Sequence, residues 1–422
     1  MATLPKEPSD VKAYAALDTH DPLPAYNRTA ERELIAKARA LQPMLLASAG
    51  YGDENGVLDP EVFGALTDAG FWAMAAPRRW GGLGTSARAM ALVGFELAKG
   101  DPSVGWVYTV LHGTTWVASL GPDALQEAIF GASSDHPVIC GIANPPGTLD
   151  EVEGGYIVNG RWPYASGSAH ASWAQLGVAI RKSDGTLDHG GFAYLRREQY
   201  TIDTTWHMMG MKGTGSNTIV AQDAFIPRDQ FFHVAKIGIG GHEPGKRHVG
   251  EPSDYWPFMP FLRATAHAVV AGAATAILER VRDAANKRPI IYTSYGKQAD
   301  CVTVQAELGK AAARIAAAEA LTLKTCDLID QAGLERRRLT PQERAQSKGE
   351  GSLAVELLNE AIEQLMFLAG SSAYADANPI QRYYRDASFA MRHVANLPYV
   401  GYEIFGKSLL GVEPNISPAD FI

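Results

Sequence analysis

Cysteine is scarce in this chain: three residues in 422, at positions 140, 301 and 326. Thiols so few and so scattered do not make a disulfide framework or a zinc site. Basic runs are missing too, and the net charge is -8, which argues against nucleic acid or an anionic membrane as a partner. No stretch of about eighteen uncharged apolar residues stands out, so a membrane span is not expected. The first residues, Met1 to Asn27, are mixed, proline-dotted and acidic, without the basic start and apolar centre of a secretory signal. A cytoplasmic protein is the expectation. No glycine fingerprint sits between a strand-like and a helix-like segment, so a Rossmann dinucleotide site is not expected, and no metal site is indicated.

With 46% hydrophobic and 20% charged residues, the chain can bury a large core, divided between two or three domains. Residues 1–136 read as a helical domain. Leu34, Ile35, Ala38, Leu41 and Leu45 recur at helical spacing between Arg28 and Ala49. Asp59-Pro60 is an N-cap followed by a first-turn proline. Helices from Ser86 to Lys99 and from Asp101-Pro102 onward follow, the second carrying Trp106, Tyr108, His112 and Trp116, expected on a single face. Between the helix begun at Asp59-Pro60 and the one begun at Ser86, Ala75 to Gly84, with Trp80 inside it, is too rich in glycine and proline for regular structure.

The character changes near Pro137. Residues 137–235 hold short apolar runs at roughly ten-residue spacing without helices between them, the pattern of a small antiparallel barrel or sandwich. Val138 to Ile142 reads as a strand and Gly147 to Gly155 as a polar turn. Asn159-Gly160 reads as a hairpin turn, because both turn residues must take positive φ. The strand beyond it ends in a polar corner, Ala165-Ser166-Gly167, where a backbone free of side chains lets a flat ligand approach. Residues 236–254 form a linker. Residues 255–422 hold long helical stretches, Phe258 to Lys287, Ala299 to Ala332, Pro341 to Ala373 and an interrupted run from Pro379 to Leu410, the picture of an antiparallel four-helix bundle. Its alanine-rich faces permit close helix contacts, and a homotetramer or dimer is expected. The fold class is α+β, mostly α.

This order of helical domain, small β domain and bundle, with Gly210-Met211-Lys212-Gly213-Thr214 and Arg382-Tyr383-Tyr384-Arg385-Asp386-Ala387, resembles the acyl-CoA dehydrogenase superfamily over nearly the whole chain. The corner from Trp162 to Gly167 and His393 are similar, within that superfamily, to the two-component flavin-dependent monooxygenases. Their oxygenase subunits include 4-hydroxyphenylacetate 3-hydroxylase and the hydroxylase of steroid-degrading bacteria. A dehydrogenase needs a carboxylate base for the α-proton of its thioester. In the family that glutamate follows the tyrosine a few residues after the Arg-Asp-Ala run, and here His393 and Val394 stand in its place. The alternative position falls near Leu262-Arg263, again without a carboxylate. Tyr292 to Gly296 also lacks the arginine that helps hold the adenine half of FAD, which fits a flavin that comes and goes.

The resemblance implies reduced FMN or FAD, supplied by a separate NAD(P)H:flavin reductase, and O2 as co-substrate. The product would be a hydroxylated aromatic, phenolic or heterocyclic small molecule, formed through a flavin C(4a)-hydroperoxide. It places Ser166 near flavin N5, His393 near the peroxide, and His112 against the substrate, where an imidazole can take a phenolic proton. Trp80 would pack on the flavin, Arg263 would oppose the charge of the reduced ring, and Cys140, Gly141 and Ala165 would edge the pocket. Gly370-Ser371-Ser372 would let a ring or phosphate of a neighbouring subunit's site come close. His170, His207, His233, His242, His248 and His267 read as ordinary surface or core residues. The alternatives are a dehydrogenase or oxidase with a displaced base, N- or S-oxygenation by the same flavin chemistry, and a flavin-binding scaffold without turnover.

Overall fold

A computed structural model describes residues 25–131, 136–181, 185–233, 249–413 and 415–417. Most of the N-terminal stretch, most of the expected linker, and His242 and His248 lie outside the described residues. Five helices come first: α1 (Arg28–Asn55), α2 (Pro60–Asp68), α3 (Ala87–Gly100), α4 (Pro102–Ser119) and α5 (Asp123–Phe130). Asn27, Asp59, Ser86 and Asp101 each cap a helix N-terminus through the side chain, satisfying amides that have no partner within the helix. The short α5 carries too few residues for periodicity to reveal it.

The β region is one seven-stranded sheet: β1 (Ile139–Val152), β2 (Gly155–Ala165), β3 (Trp173–Arg181), β4 (Leu187–Arg196), β5 (Thr201–Asp203), β6 (Asn217–Pro227) and β7 (Phe231–His233), in the order β5-β6-β2-β1-β3-β4-β7. It is mixed rather than purely antiparallel, because β3 pairs with β1 in parallel. The cause is local. The chain leaves β2 at Ala165, turns through Ser168–His170, and re-enters on the other side of β1. That crossing puts the polar corner at the end of the sheet.

Two expected turns move. β1 runs on through Gly147 to Val152, and the hairpin to β2 turns at Glu153-Gly154, where Gly154 has φ 79°. Asn159-Gly160 lies inside β2 instead. Asn159 bonds in both directions to Asp223, a left-handed residue at a bulge in β6. A Cβ on Gly160 would meet the Gly147 Cα at 2.7 Å and the Trp162 ring, so this glycine serves strand-to-strand approach and not a turn.

The C-terminal helices are α6 (Phe258–Ala285), α7 (Val302–Leu334), α8 (Pro341–Ala369), α9 (Pro379–Ala390) and α10 (Pro398–Leu409). α6 is long and apolar enough to cross a membrane, yet 83% of its most apolar stretch is buried by the fold; it is the central helix of the bundle. Trp116 of α4 packs on Trp256, Phe258 and Phe261, joining the N-terminal helices to its first turn. The aromatic set on α4 splits between two faces. Tyr108 and Trp116 are buried in the core with His112, while Trp106 stands edge-on to His393. Two residues along a helix turn a side chain by about 200°, which is why Trp106 parts from Tyr108.

Candidate active site

α4 is the spine on which most of the expected site segments meet. The Trp106 and His393 ring centroids are 5.5 Å apart. A Cβ on Gly167, the residue after Ser166, would lie 3.0 Å from Val107. A Cβ on Gly113 would lie 2.6 Å from Leu262, the neighbour of Arg263, and one on Gly141 would lie 2.5 Å from Thr114. From Trp106 to Thr114 the helix rises about 12 Å, the scale of a fused three-ring system. His393, the Ser166 corner, His112, Arg263 and Cys140-Gly141 are thereby gathered along one helix.

At the corner, Tyr164 holds φ 67° and Gly167 φ 72°, and the Ser166 amide donates to the Tyr164 carbonyl at 2.9 Å. A left-handed tyrosine is strained backbone of the kind that persists where the fold over-determines it. The Ser166 hydroxyl is buried and belongs to a chain. Ser166 Oγ lies 2.7 Å from Ser216 Oγ, Ser216 Oγ lies 2.6 Å from Thr214 Oγ1, and Thr214 Oγ1 donates to the Met211 carbonyl at 2.7 Å. Each hydroxyl owns one hydrogen. Thr214 spends its hydrogen on the carbonyl, so Ser216 donates to Thr214 and Ser166 donates to Ser216. Ser166 therefore turns lone pairs outward as an acceptor. The far end is pinned as well: Trp206 Nε1 donates to the Met211 carbonyl at 2.8 Å, and the Met211 amide donates to Asp386 Oδ1 at 2.5 Å.

His393 sits in the break between α9 and α10. Its Nδ1 accepts the Ala395 amide at 3.3 Å. Surrounding protein desolvates the ring and lowers its pKa from the ordinary histidine value, while its surface stays open to solvent. Both hold together for a side chain on the wall of a recess. His112, by contrast, is fully enclosed. Its Nδ1 lies 2.7 Å from the Tyr108 carbonyl and its Nε2 2.8 Å from the Phe71 carbonyl. Burial pushes its pKa down to about 4 against the pull of those carbonyls, so it is neutral at pH 7. A neutral imidazole has one N–H, so only one contact is a hydrogen bond and the other nitrogen presents a lone pair to a carbonyl oxygen.

Arg263, 4% exposed, has Nη1 and Nη2 with no partner among the described residues, and burial lowers its pKa to about 10. Cys140 is buried in β1, where desolvation raises its thiol to about 12, and it is inert as a nucleophile. Ala165 is buried and pairs with Asn217 of β6. Trp80 packs beside Gly131 at the end of α5 and under the Arg79 guanidinium, its Nε1 buried and without a partner among the described residues. Gly370, Ser371 and Ser372 follow α8 at the other end of the bundle, where Arg288 donates to the Ala369 carbonyl and to Ser372 Oγ. Along α6 that end is about 33 Å from Arg263. Ser216 and Thr214 were not foreseen from sequence. The run Gly213-Thr214-Gly215-Ser216 was their signal, since glycines flanking hydroxyl residues mark a backbone that folds back on itself.

Comparison with known proteins agrees with this geometry. The family description "acyl-CoA dehydrogenase, N-terminal domain" matches residues 29–132, and "acyl-CoA dehydrogenase, C-terminal domain" matches residues 264–398. The flavin-dependent monooxygenase, oxygenase subunit HsaA, of Mycobacterium tuberculosis is 30% identical over 386 residues, 91% of this chain and 96% of that protein. The FADH(2)-dependent resorcinol hydroxylase, oxygenase component, of Rhizobium sp. is 27% identical over 408 residues, 94% of this chain and 98% of that one. Among solved structures, XiaF from Streptomyces sp. in complex with FADH2 and glycerol superposes with a TM-score of 0.86 at 27% identity, covering 97% of this chain and all of that one. The chain belongs to the acyl-CoA dehydrogenase family, and within it to the oxygenase components of the flavin-dependent monooxygenases.

Proposed function

We propose that this oxygenase hydroxylates an aromatic small molecule bearing a phenolic hydroxyl, in the cleft along α4, with reduced FMN or FAD and O2. The balance is reduced flavin, O2 and Ar–H giving oxidised flavin, water and Ar–OH. A separate reductase returns the flavin to its reduced state. The residues fit a flavin: an N–H donor at the corner finds an acceptor in Ser166, and the cleft holds a permanent positive charge in Arg263. Bound there, the flavin supplies the activation of O2.

The chain's own residues do the rest. Ser166, locked as an acceptor by Ser216 and Thr214, binds a ring N–H and keeps that proton from leaving. His393 stands at the recess mouth with its Nδ1 held by the Ala395 amide, so Nε2 is free to give a proton or a hydrogen bond to a developing oxyanion. His112, expected against the substrate, has both ring nitrogens taken up by the Tyr108 and Phe71 carbonyls, so it backs the cleft as a neutral core residue and takes no phenolic proton. Trp106 and the buried aromatic shell exclude water. Gly370 to Ser372, too distant for the same chain's cleft, serve a neighbouring copy in a homo-oligomer.

The observation that carries this reading is the oriented hydroxyl chain ending at Ser166, beside the same turn of α4 that carries Trp106 against His393, the imidazole where the family's dehydrogenases hold a carboxylate. The test is anaerobic loading with reduced FMN, then rapid mixing with O2. The expected result is an absorbance that is neither reduced nor oxidised flavin and that outlives mixing by seconds. Immediate conversion to oxidised flavin overturns the reading. Bleaching of bound oxidised flavin by an acyl-CoA thioester without oxygen would establish a dehydrogenase instead.

A further inference from the structure

Helix α9 reaches the far end of the hydroxyl chain. Two turns before His393 it carries Asp386, 1% exposed, whose Oδ1 accepts the Met211 amide at 2.5 Å. Met211 holds φ 55° and ψ 34°, left-handed backbone that any side chain beyond glycine disfavours. In that conformation its carbonyl receives both Thr214 Oγ1 and Trp206 Nε1. The rest of the loop is seated on the same helix. Arg385 Nη1 donates to the Met209 carbonyl at 2.5 Å, and a Cβ on Gly210 would lie 2.4 Å from the Arg385 carbonyl. Arg382 and Arg385 pair with Asp53 of α1, which leaves a backbone amide as the hydrogen-bond partner of Asp386 among the described residues. Desolvation, with Asp101 and Asp53 nearby, raises the Asp386 carboxyl to about 7. A carboxyl kept where burial opposes its charge is costly to the fold and marks a place where its contact matters.

We propose that Asp386 is a positioning residue for the reduced flavin: by holding Met211 left-handed it fixes the direction of the hydroxyl chain and keeps Ser166 an acceptor. The hydrogens decide this. With the Met211 carbonyl in place, Thr214 donates to it, Ser216 donates to Thr214 and Ser166 donates to Ser216. Once Met211 relaxes to an ordinary conformation, its carbonyl swings away and Thr214 is left with Ser216 as its partner. Thr214 then donates to Ser216, Ser216 donates to Ser166, and the Ser166 hydrogen points outward. A ring N–H would then meet a donor in place of a lone pair. The same helix ends at the turn that sets His393. The His393 amide donates to the Ala390 carbonyl at 3.1 Å, and Phe389 stands edge-on to Trp206 with 5.5 Å between ring centroids. α9 thereby holds the acceptor on the sheet side and the imidazole on the helical side in register. The inference rests on the flavin contact of the hydroxylase reading and adds to it a residue that touches neither flavin nor substrate.

The experiment measures the affinity for reduced FMN without oxygen, by quenching of tryptophan fluorescence, in the full chain and in Ser166→Ala, Asp386→Ala and the double variant. Each single substitution is expected to weaken binding by about tenfold, the effect of one lost hydrogen bond at a buried site. The double variant is expected to bind within about threefold of the weaker single one, because both substitutions act on one contact. Asp386→Asn, which keeps an oxygen for the Met211 amide, recovers most of the affinity. A merely structural role predicts losses that multiply to about a hundredfold, or a parental affinity in a less stable protein. Should alanine at 386 prevent folding, Asp386→Leu, similar in shape and uncharged, takes its place in the cycle. The proposal is overturned by multiplying losses, by parental affinity in the alanine or leucine variant, or by a parent that does not bind reduced FMN. It is also overturned if Asp386→Asn binds no better than the alanine variant, which would make the charge of the side chain, and not its hold on Met211, the cause. No oxygen enters this experiment, so a parent that binds reduced FMN yet gives no lasting absorbance with O2 fails as a hydroxylase while the test of Asp386 stands.

Discussion

The two walls of the cleft are built on opposite plans. On the sheet side, the polar atoms around Ser166 satisfy one another: three hydroxyls run in a single direction to the Met211 carbonyl, and the Met211 amide donates separately to Asp386. On the helical side, polar groups stand open, with His393 solvent-facing at the recess and the Arg263 terminal guanidinium nitrogens buried without a partner among the described residues. A closed network fixes a lone pair in space before a ligand arrives, which costs no reorganisation during reaction. An open group is satisfied only when something binds. The sheet wall therefore serves a part of the reaction that is always the same, and the helical wall the part that changes between free and loaded protein.

Substituting on the helical wall has the largest expected effect on the outcome of turnover. His393→Ala removes the proton donor at the recess and should lower hydroxylated product per O2 consumed by about 100-fold, the lower end for a lost general acid, with hydrogen peroxide rising to match. Product and peroxide assays read this directly, and equal coupling in variant and parent would remove His393 from the chemistry. Ser166→Ala on the sheet wall comes next. Losing one hydrogen bond at a buried site costs about 1–3 kcal/mol, so decay of the oxygen-derived absorbance in stopped flow should quicken by about tenfold or more.

Ser216→Ala sharpens the contrast between the walls because it leaves Ser166 in place and frees its hydrogen. Ser166 can then turn its O–H outward, and the oriented acceptor becomes a hydroxyl of either polarity. An intermediate acceleration of the same decay, smaller than for Ser166→Ala, is the expected result. A rate equal to the parent would show that the chain's direction is irrelevant.

How much of this contrast was legible in sequence differs between the walls too. The helices of the helical wall were readable from caps and periodicity, which need only local rules, whereas the place of His393 after the Arg-Asp-Ala run came from the family resemblance. Even there, Trp106 was misassigned to the Tyr108 face, because roughly regular spacing conceals a two-residue offset. The sheet wall was less readable. Asn159-Gly160 looks like a hairpin turn from its neighbours alone, but its partners are Asp223 in β6 and Gly147 in β1, which no local rule brings together. The link from Met211 to Asp386 spans 175 residues. It explains why the left-handed Met211 and a buried acid raised to about 7 by desolvation occur together. Arg263 was named from the resemblance, but that its terminal guanidinium nitrogens lack a partner among the described residues becomes visible only when the neighbours are in place.

The smallest effect on turnover, but a sharp one on stability, is expected from His267→Gln in the wall behind His393. Burial holds the folded His267 near pKa 4 while an unfolded histidine titrates near 6.5. Between those values the unfolded chain binds the extra proton, so this group's contribution is complete above pH 6.5 and is lost as pH falls toward 4. Buried Asp101, raised to about 6, and Asp330 and Asp386, raised to about 7, work the other way across much of the same range, because a carboxyl kept protonated in the fold favours the fold at low pH. The parent's own profile is then a compromise between opposing groups, and only a difference isolates one of them. Chemical denaturation of parent and His267→Gln at pH 7, 6, 5 and 4 should give a gap that moves in the variant's favour by a few kcal/mol in all as pH falls. A gap independent of pH would mean that the fold accepts a charged imidazole beside Arg263, and with it that the helical wall is less dry than its unpartnered guanidinium indicates.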